Sequence, residues 1–203
     1  MAALLALSRA IDEIGRRTST IATWLVLLAA LVSAFNAFFR YSISSIILLD
    51  SKLRMFGGGL GVLFNLYRDN SNSLRDVQLI MFAGMVMLGT SWTLRMNEHV
   101  RVDIIYGSVS PRTRCWIDLT GAIFFLVPMC VVLFYFSWPW FLDSWVSGEM
   151  SVNAGGLPRW LFKLFLPLGF ALLLLQALSE IIKCVAELTT AYRRGSTYEK
   201  PVQ

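Results

Sequence analysis

Residues 77–103 read VQLIMFAGMVMLGTSWTLRMNEHVRVD, an uncharged run followed by a polar strip that begins at Arg95 and holds the only histidine, His99. A helix needs about 20 apolar residues, at 1.5 Å of rise each, to cross roughly 30 Å of hydrocarbon. Three further uncharged runs of similar length occupy residues 21–39, 119–142 and 164–179. Because lipid offers the backbone no hydrogen-bond partners, each run is expected to be a helix.

The composition agrees with a membrane protein. Hydrophobic residues make up 56% of the 203 residues and charged residues 15%, which is too apolar for an ordinary soluble domain. We therefore predict an all-α membrane protein with one four-helix domain over residues 1–203, with spans at about 20–40, 76–95, 115–142 and 161–186. These spans leave no room for a soluble catalytic domain of about 100 or more residues.

Basic residues indicate the orientation. They concentrate in the N-terminal segment, the link between spans two and three, and the tail, and positive links stay in the cytoplasm. The basic residues of these segments are Arg9, Arg16, Arg17, Arg95, Arg101, Arg112, Arg114, Lys183, Arg193, Arg194 and Lys200. The link between spans three and four is rich in tryptophan and suits the outer interface. The sequence thus predicts both termini inside, although the first outer link also carries basic residues. The net charge of +5 fits contact with anionic lipid, and no nucleic-acid signature is present.

An insertion of about residues 42–73 lies in the first outer link. Its apolar pieces, 43–49 and 62–64, are too short to span, and glycines 57–59 and 61 separate them. An interfacial or re-entrant hairpin hinged at these glycines is predicted. A phosphate-binding loop is the alternative, but the Lys-Ser/Thr ending that it needs is absent.

The span interiors favour helix packing over transport or catalysis. They contain no charged residue, and Gln176 is among the few polar ones, which can bond a neighbouring helix. Small residues four apart, Ala30 with Ala34 and Ser33 with Ala37, predict close helix contacts. Pro128 is expected to kink the third span.

No catalytic, cofactor or metal site is evident. A lone His99 makes a poor haem or metal site, since haems between helices commonly use two axial ligands and metals need three or four donors. The three cysteines show no C-x-x-C pairing and are interpreted as reduced structural thiols. We therefore expect no catalytic residue, no cofactor and no enzymatic activity.

Five short motifs, in order, resemble the small membrane subunit of TRAP transporters, the DctQ-like family. They are Arg40-Tyr41, residues 97–106, residues 148–151, residues 155–158 and residues 167–170. The resemblance runs from about residue 11 to residue 186. The chain departs from the family pattern at Leu74-Arg75-Asp76, where a Trp and acidic residues are usual, and in the long 42–72 insertion. That insertion is similar to the subgroup labelled for mannitol or chloroaromatic compounds.

The resemblance implies a tripartite, sodium-driven uptake system in the bacterial inner membrane. A periplasmic binding protein would deliver an organic acid to a large elevator subunit, and the small subunit would clasp the large one without carrying substrate. Two alternatives stay open. One is the membrane anchor of a respiratory oxidoreductase with haem or quinone, and the other is an autonomous small transporter.

The residues singled out are candidates for subunit contact or for structure. Glu98, Arg101 and Asp103 would form either an ion-pair network with the partner or a solvated cluster that sets topology. Arg40 would meet lipid phosphate or an acidic partner residue, or snorkel to the interface. Glu149 and the turn around Gly156 and Pro158 would shape the outer hairpin, where a partner could touch. The full set is Arg40, Glu98, His99, Arg101, Asp103, Glu149, Gly156, Pro158 and Gln176.

Overall fold

A computed structural model describes residues 1–53, 59–97, 108–153 and 155–190. Within these ranges five α-helices follow in order: α1 Ala2–Leu53, α2 Gly59–Met96, α3 Pro111–Gly121, α4 Val127–Val146 and α5 Trp160–Thr189. A π-helical segment, Ala122–Leu126, joins α3 to α4, so that Pro111–Val146 forms one continuous third span. Four of these helical stretches are long and apolar enough to cross a membrane, which confirms the predicted all-α, four-span fold class.

Helix α1 packs along a seam with the spacing of a coiled coil. Its buried and half-buried residues alternate at intervals of three and four, which keeps one stripe facing the neighbouring helices. The seam comprises Ser8, Ile11, Gly15, Thr18, Ala22, Leu25, Ala29, Val32, Asn36, Phe39 and Ile43. The predicted small-residue pairs, Ala30 with Ala34 and Ser33 with Ala37, lie outside this seam and are exposed. Their prediction of close helix contacts is therefore not met within this chain.

Helix α5 is the centre of the bundle. It packs against α1 and α2 on one side and against α3, the π segment and α4 on the other. In the described residues the third span has no comparable packing against α1 or α2. Among the described residues, two small apolar clusters hold α5 against its neighbours, one around Ala22, Leu88 and Leu172 and one around Cys115 and Cys184.

The described parts of the insertion at 42–73 are helical. Residues 42–53 continue α1 without a break, and α2 begins at Gly59, so these parts extend two long helices, and their interfacial or re-entrant position stays a prediction. Tyr67 keeps the extensions together, because its hydroxyl donates to Asn36 Oδ1 at 2.7 Å and its ring stacks on Phe39. Packing of the two extensions against each other stabilises them as helices, although each apolar piece is short. The glycines predicted as the hinge lie partly outside the described residues.

Local sequence features explain where α2 ends and where the third span becomes π-helical. Asn97 ends α2 with a φ of 63°, a left-handed conformation that asparagine tolerates better than most residues. Pro128 has no N–H to donate and its ring crowds the carbonyl four residues earlier, that of Phe124, which lies in the π segment. The predicted disturbance of the third span therefore takes the form of a π turn just before the proline.

Candidate functional site

The candidate residues predicted from the sequence separate into three groups. Glu98, His99, Arg101 and Asp103 lie outside the described residues, so their predicted network stays a prediction. Arg40 is exposed on α1. The remaining candidates belong to two polar clusters at opposite ends of the bundle: Gln176 to one, and Glu149, Gly156 and Pro158 to the other.

The first of these, here called the Asp12 cluster, joins α1, α2 and α5. It consists of Ser8, Asp12, Arg95, Gln176, Ser179, Glu180 and Lys183. The Asp12 carboxylate accepts from Lys183 Nζ and Ser179 Oγ, each at 2.9 Å, and from Gln176 Nε2 at 3.0 Å. Arg95 approaches the same carboxylate at 3.5 Å and donates to the backbone carbonyl of Asp12 at 3.3 Å.

Charges in the Asp12 cluster are balanced. Glu180 accepts from Lys183 at 2.7 Å, so two carboxylates face one ammonium and one guanidinium. The side chains of Asp12 and Lys183 are only 12% and 11% exposed. A buried ion pair is costly to desolvate, and it persists where further hydrogen bonds satisfy both partners, as Gln176 and Ser179 do here.

Gln176 was among the candidates predicted from the sequence, whereas Asp12 and Lys183 at the centre of the cluster were not. On α5 a signal was available, since residues 176, 179, 180 and 183 recur at intervals of three and four and therefore share one face. Asp12 gave no such signal, because it precedes the first apolar run beside Glu13, Arg16 and Arg17. Those three residues do form an exposed ion-pair group, with Glu13 bridging both arginines.

At the other end, Glu149 ties the end of α4 to the start of α5. Its carboxylate accepts from Ser144 Oγ at 2.9 Å, Arg159 at 3.1 Å and Lys163 at 2.5 Å. The hydrogen bonds from Lys163, Ser144 and Arg159 lower the pKa of Glu149 from 4.5 to about 2. Lys163 also lies 4.5 Å from the centre of the Trp140 ring, a cation–π contact that covers its ammonium.

The loop between α4 and α5 is a short hairpin. Met150 and Pro158 form an antiparallel bridge, Ser151 donates to the Leu157 carbonyl at 3.0 Å, and Arg159 donates to the Glu149 carbonyl at 2.9 Å. Glu149 and Pro158 thus take part in the backbone contacts that close this loop, and a contact between them and a partner stays a prediction. We call residues 147–159 the hairpin loop.

Asp76 of α2 holds the tip of the hairpin loop. Its carboxylate accepts from the Leu157 N–H at 3.0 Å and from Asn153 Nδ2 at 3.3 Å. Gly156 permits this approach, because a Cβ at that position would lie 2.6 Å from Asp76 Oδ2. Ser73 also donates to the Gly155 carbonyl. Asp76 was not predicted as a site residue, because in the sequence it is one of several acidic residues in a long link.

Both clusters connect helices to one another. In the part of the chain that the structure describes, no three His, Cys, Asp or Glu side chains come together as ligands of a metal would. The arrangement therefore fixes the relative positions of α1, α2, α4 and α5 at both ends of the bundle.

Comparison with known proteins identifies one family. The family described as tripartite ATP-independent periplasmic transporters, DctQ component, matches residues 66–187. This range includes the hairpin loop, Asp76, Arg95 and the α5 part of the Asp12 cluster, whereas α1 lies outside it. Searches among curated proteins and among solved structures gave no match.

Proposed function

This chain belongs to the DctQ component family of tripartite ATP-independent periplasmic transporters, and from that premise we propose that it holds and positions a large transport subunit without carrying substrate itself. The family resemblance seen in the sequence is thereby confirmed, and the chain is a multi-pass membrane component of a transporter. The respiratory-anchor alternative gains no support from this membership.

One observation carries the proposal: among the described residues, charged side chains lie outside the central parts of the spans, and several of them join helices at the bundle ends. Residues 18–39, 77–94, 119–142 and 164–179 contain no Asp, Glu, Lys, Arg or His. A chain that moves an ion or an organic anion through its own body normally places such groups near mid-membrane, where they are costly and kept for function. This supports an accessory role for the chain.

The outer faces of the helices suit a membrane-embedded partner. The third span is attached to the rest mainly through α5, and its aromatic side chains Phe124, Phe125, Tyr135 and Phe136 are largely exposed. Helix α1 adds the exposed small residues Ala30, Ala34 and Ala37 beside larger apolar ones. We propose that the large elevator subunit covers part of this surface and that lipid covers the remainder.

The remaining roles follow from the same family premise. In our proposal the large subunit couples transport to sodium, a periplasmic binding protein delivers an organic acid, such as a keto or hydroxy acid, and the complex resides in the bacterial inner membrane. The Asp12 cluster brings the start of α1, the end of α2 and the end of α5 to one side. These ends border the three basic segments, which supports an orientation with both termini inside.

Reconstitution with purified components tests this proposal. The tagged chain should co-purify with the large subunit, and liposomes with both subunits and the binding protein should accumulate organic acid along a sodium gradient. Liposomes with this chain alone should not. Uptake by the isolated chain would refute the accessory role, and failure to retain the large subunit at matched expression would refute the docking role.

A further inference from the structure

Two oxygens deep in the bundle have no hydrogen-bond partner among the described residues. They are Gln176 Oε1 on α5 and Ser91 Oγ on α2. Gln176 is 0% exposed and Ser91 is 1% exposed. Because a buried polar atom without a partner loses its hydration with nothing in exchange, such atoms are rare, and a bound water is one of the features that account for them.

The orientation of the Gln176 amide is fixed by its neighbours. Its Nε2 donates to Asp12 Oδ1 at 3.0 Å and to Glu180 Oε1 at 3.2 Å. Exchanging the amide oxygen and nitrogen would place an acceptor against two carboxylates, so the nitrogen must face them. Gln176 Oε1 is therefore directed away from both acids.

Both oxygens converge on Gly15 of α1. A Cβ at Gly15 would lie 3.4 Å from Gln176 Oε1 and 3.6 Å from Ser91 Oγ, and no other atom outside its own helix would be nearer. Gly15 is buried and lies one turn after Asp12. The missing side chain thus leaves a small polar space where α1, α2 and α5 meet.

We propose that one water molecule is bound in this space, accepting from the Ser91 hydroxyl and donating to Gln176 Oε1. A buried water typically bridges two to four polar groups that would otherwise be unpaired, and here it would join α2 to α5 beside α1. A metal cation fits less well, because the two free oxygens are uncharged, hard cations take about six oxygens, and Lys183 and Arg95 already neutralise Asp12. The inference does not depend on the proposed function.

Substitutions at Gly15 test for the water, because a bound water there should reverse the usual order of stability of alanine and serine variants. In a helix, alanine is normally more stabilising than serine. Gly121, where a Cβ would meet nothing within 4 Å, should follow that order, so Gly121→Ala should melt above Gly121→Ser. At Gly15 the methyl of alanine would displace the water, whereas a serine hydroxyl would replace it. Gly15→Ser should therefore melt above Gly15→Ala by about 2 to 4 °C.

Melting is measured on the full chain in lipid nanodiscs. The same order at both glycines would overturn the proposal, and so would insensitivity of the Gly15 pair to Ser91→Ala. Should the Gly15 variants fail to fold, a structure of the unaltered complex at about 2 Å or better decides the question. It should show a density peak within 3.2 Å of both oxygens, as expected for hydrogen bonds. A direct contact between Ser91 Oγ and Gln176 Oε1, or an empty space, would refute the bound water.

Discussion

Single residues at the bundle ends set most of the specific contacts, and Lys183 is the clearest case. Lys183→Met keeps most of the side-chain volume but leaves the buried Asp12 carboxylate without its ammonium partner. Breaking a buried pair from one side costs about 3 kcal/mol or more, so the melting temperature should fall by roughly 6 to 12 °C. The measurement is thermal unfolding of the purified chain in nanodiscs.

Two further variants separate pairing from other effects of Lys183→Met. Adding Asp12→Asn should recover part of the loss, since the carboxylate that needs the ammonium is then gone. Arg9→Met removes an exposed cation from the start of α1, near the Asp12 cluster, and should change melting little. A loss of equal size in Arg9→Met would mean that the buried pair is not the cause.

Glu149 gives the hairpin loop a dependence on pH. Because the folded pKa of about 2 lies below the ordinary 4.5, ionised Glu149 stabilises the fold fully above pH 4.5, and this contribution is lost as pH falls toward 2. The difference in melting temperature between the unaltered chain and Glu149→Gln should therefore be largest near pH 6 and shrink by pH 3. Asp143→Asn, an exposed change on α4, is the control. A difference independent of pH would contradict the ion-pair role.

At the scale of the helix, the small residues four apart on α1 were recognised in the sequence, but which surface they would contact was not. Ala34 was expected to make a close helix contact, and within this chain it lies on the exposed side of α1. Ala34→Phe should consequently shift melting of the isolated chain by less than about 2 °C, since exposed changes cost little.

Ala22→Phe is the matched control, because the same change falls in the apolar cluster with Leu88 and Leu172. Overpacking there should cost about 1 to 3 kcal/mol. Co-purification of the large subunit with the Ala34→Phe variant then measures whether the exposed face of α1 around Ala34 contacts that subunit. If Ala34→Phe destabilises the isolated chain as much as Ala22→Phe, Ala34 does not lie on an exposed side of α1.

At the scale of the whole molecule, α5 packs against all the other spans, and the proposed orientation places the hairpin loop outside and the start of α3 inside. In the proposed orientation, an impermeant maleimide should label Val152→Cys on intact cells, because Val152 is 85% exposed on the hairpin loop. Arg112→Cys, at the start of α3, should react only after permeabilisation. The assay uses a background in which Cys115, Cys130 and Cys184 are replaced, and the opposite labelling pattern would invert the proposed topology.

The sequence was sufficient for the class of fold because each apolar run must be helical in lipid, whatever its neighbours are. It also carried the family through short motifs such as residues 155–158, whose Gly156 admits Asp76. The helical extensions within the insertion were not predicted, because the length of an apolar piece does not reveal whether a second helix will pack beside it, as Tyr67 of α2 does against Asn36 and Phe39 of α1.

By itself, the sequence determined the four apolar spans and the family, since both depend on local composition or on residues close in the chain. Only the tertiary structure decided that Asp12 meets Lys183, that Asp76 holds the hairpin loop and that two oxygens converge on Gly15. The partners in these contacts are separated by 171 residues for Asp12 and Lys183 and by 81 for Asp76 and Leu157. No periodicity within one helix can encode such meetings, because they depend on how the helices rotate and slide against one another.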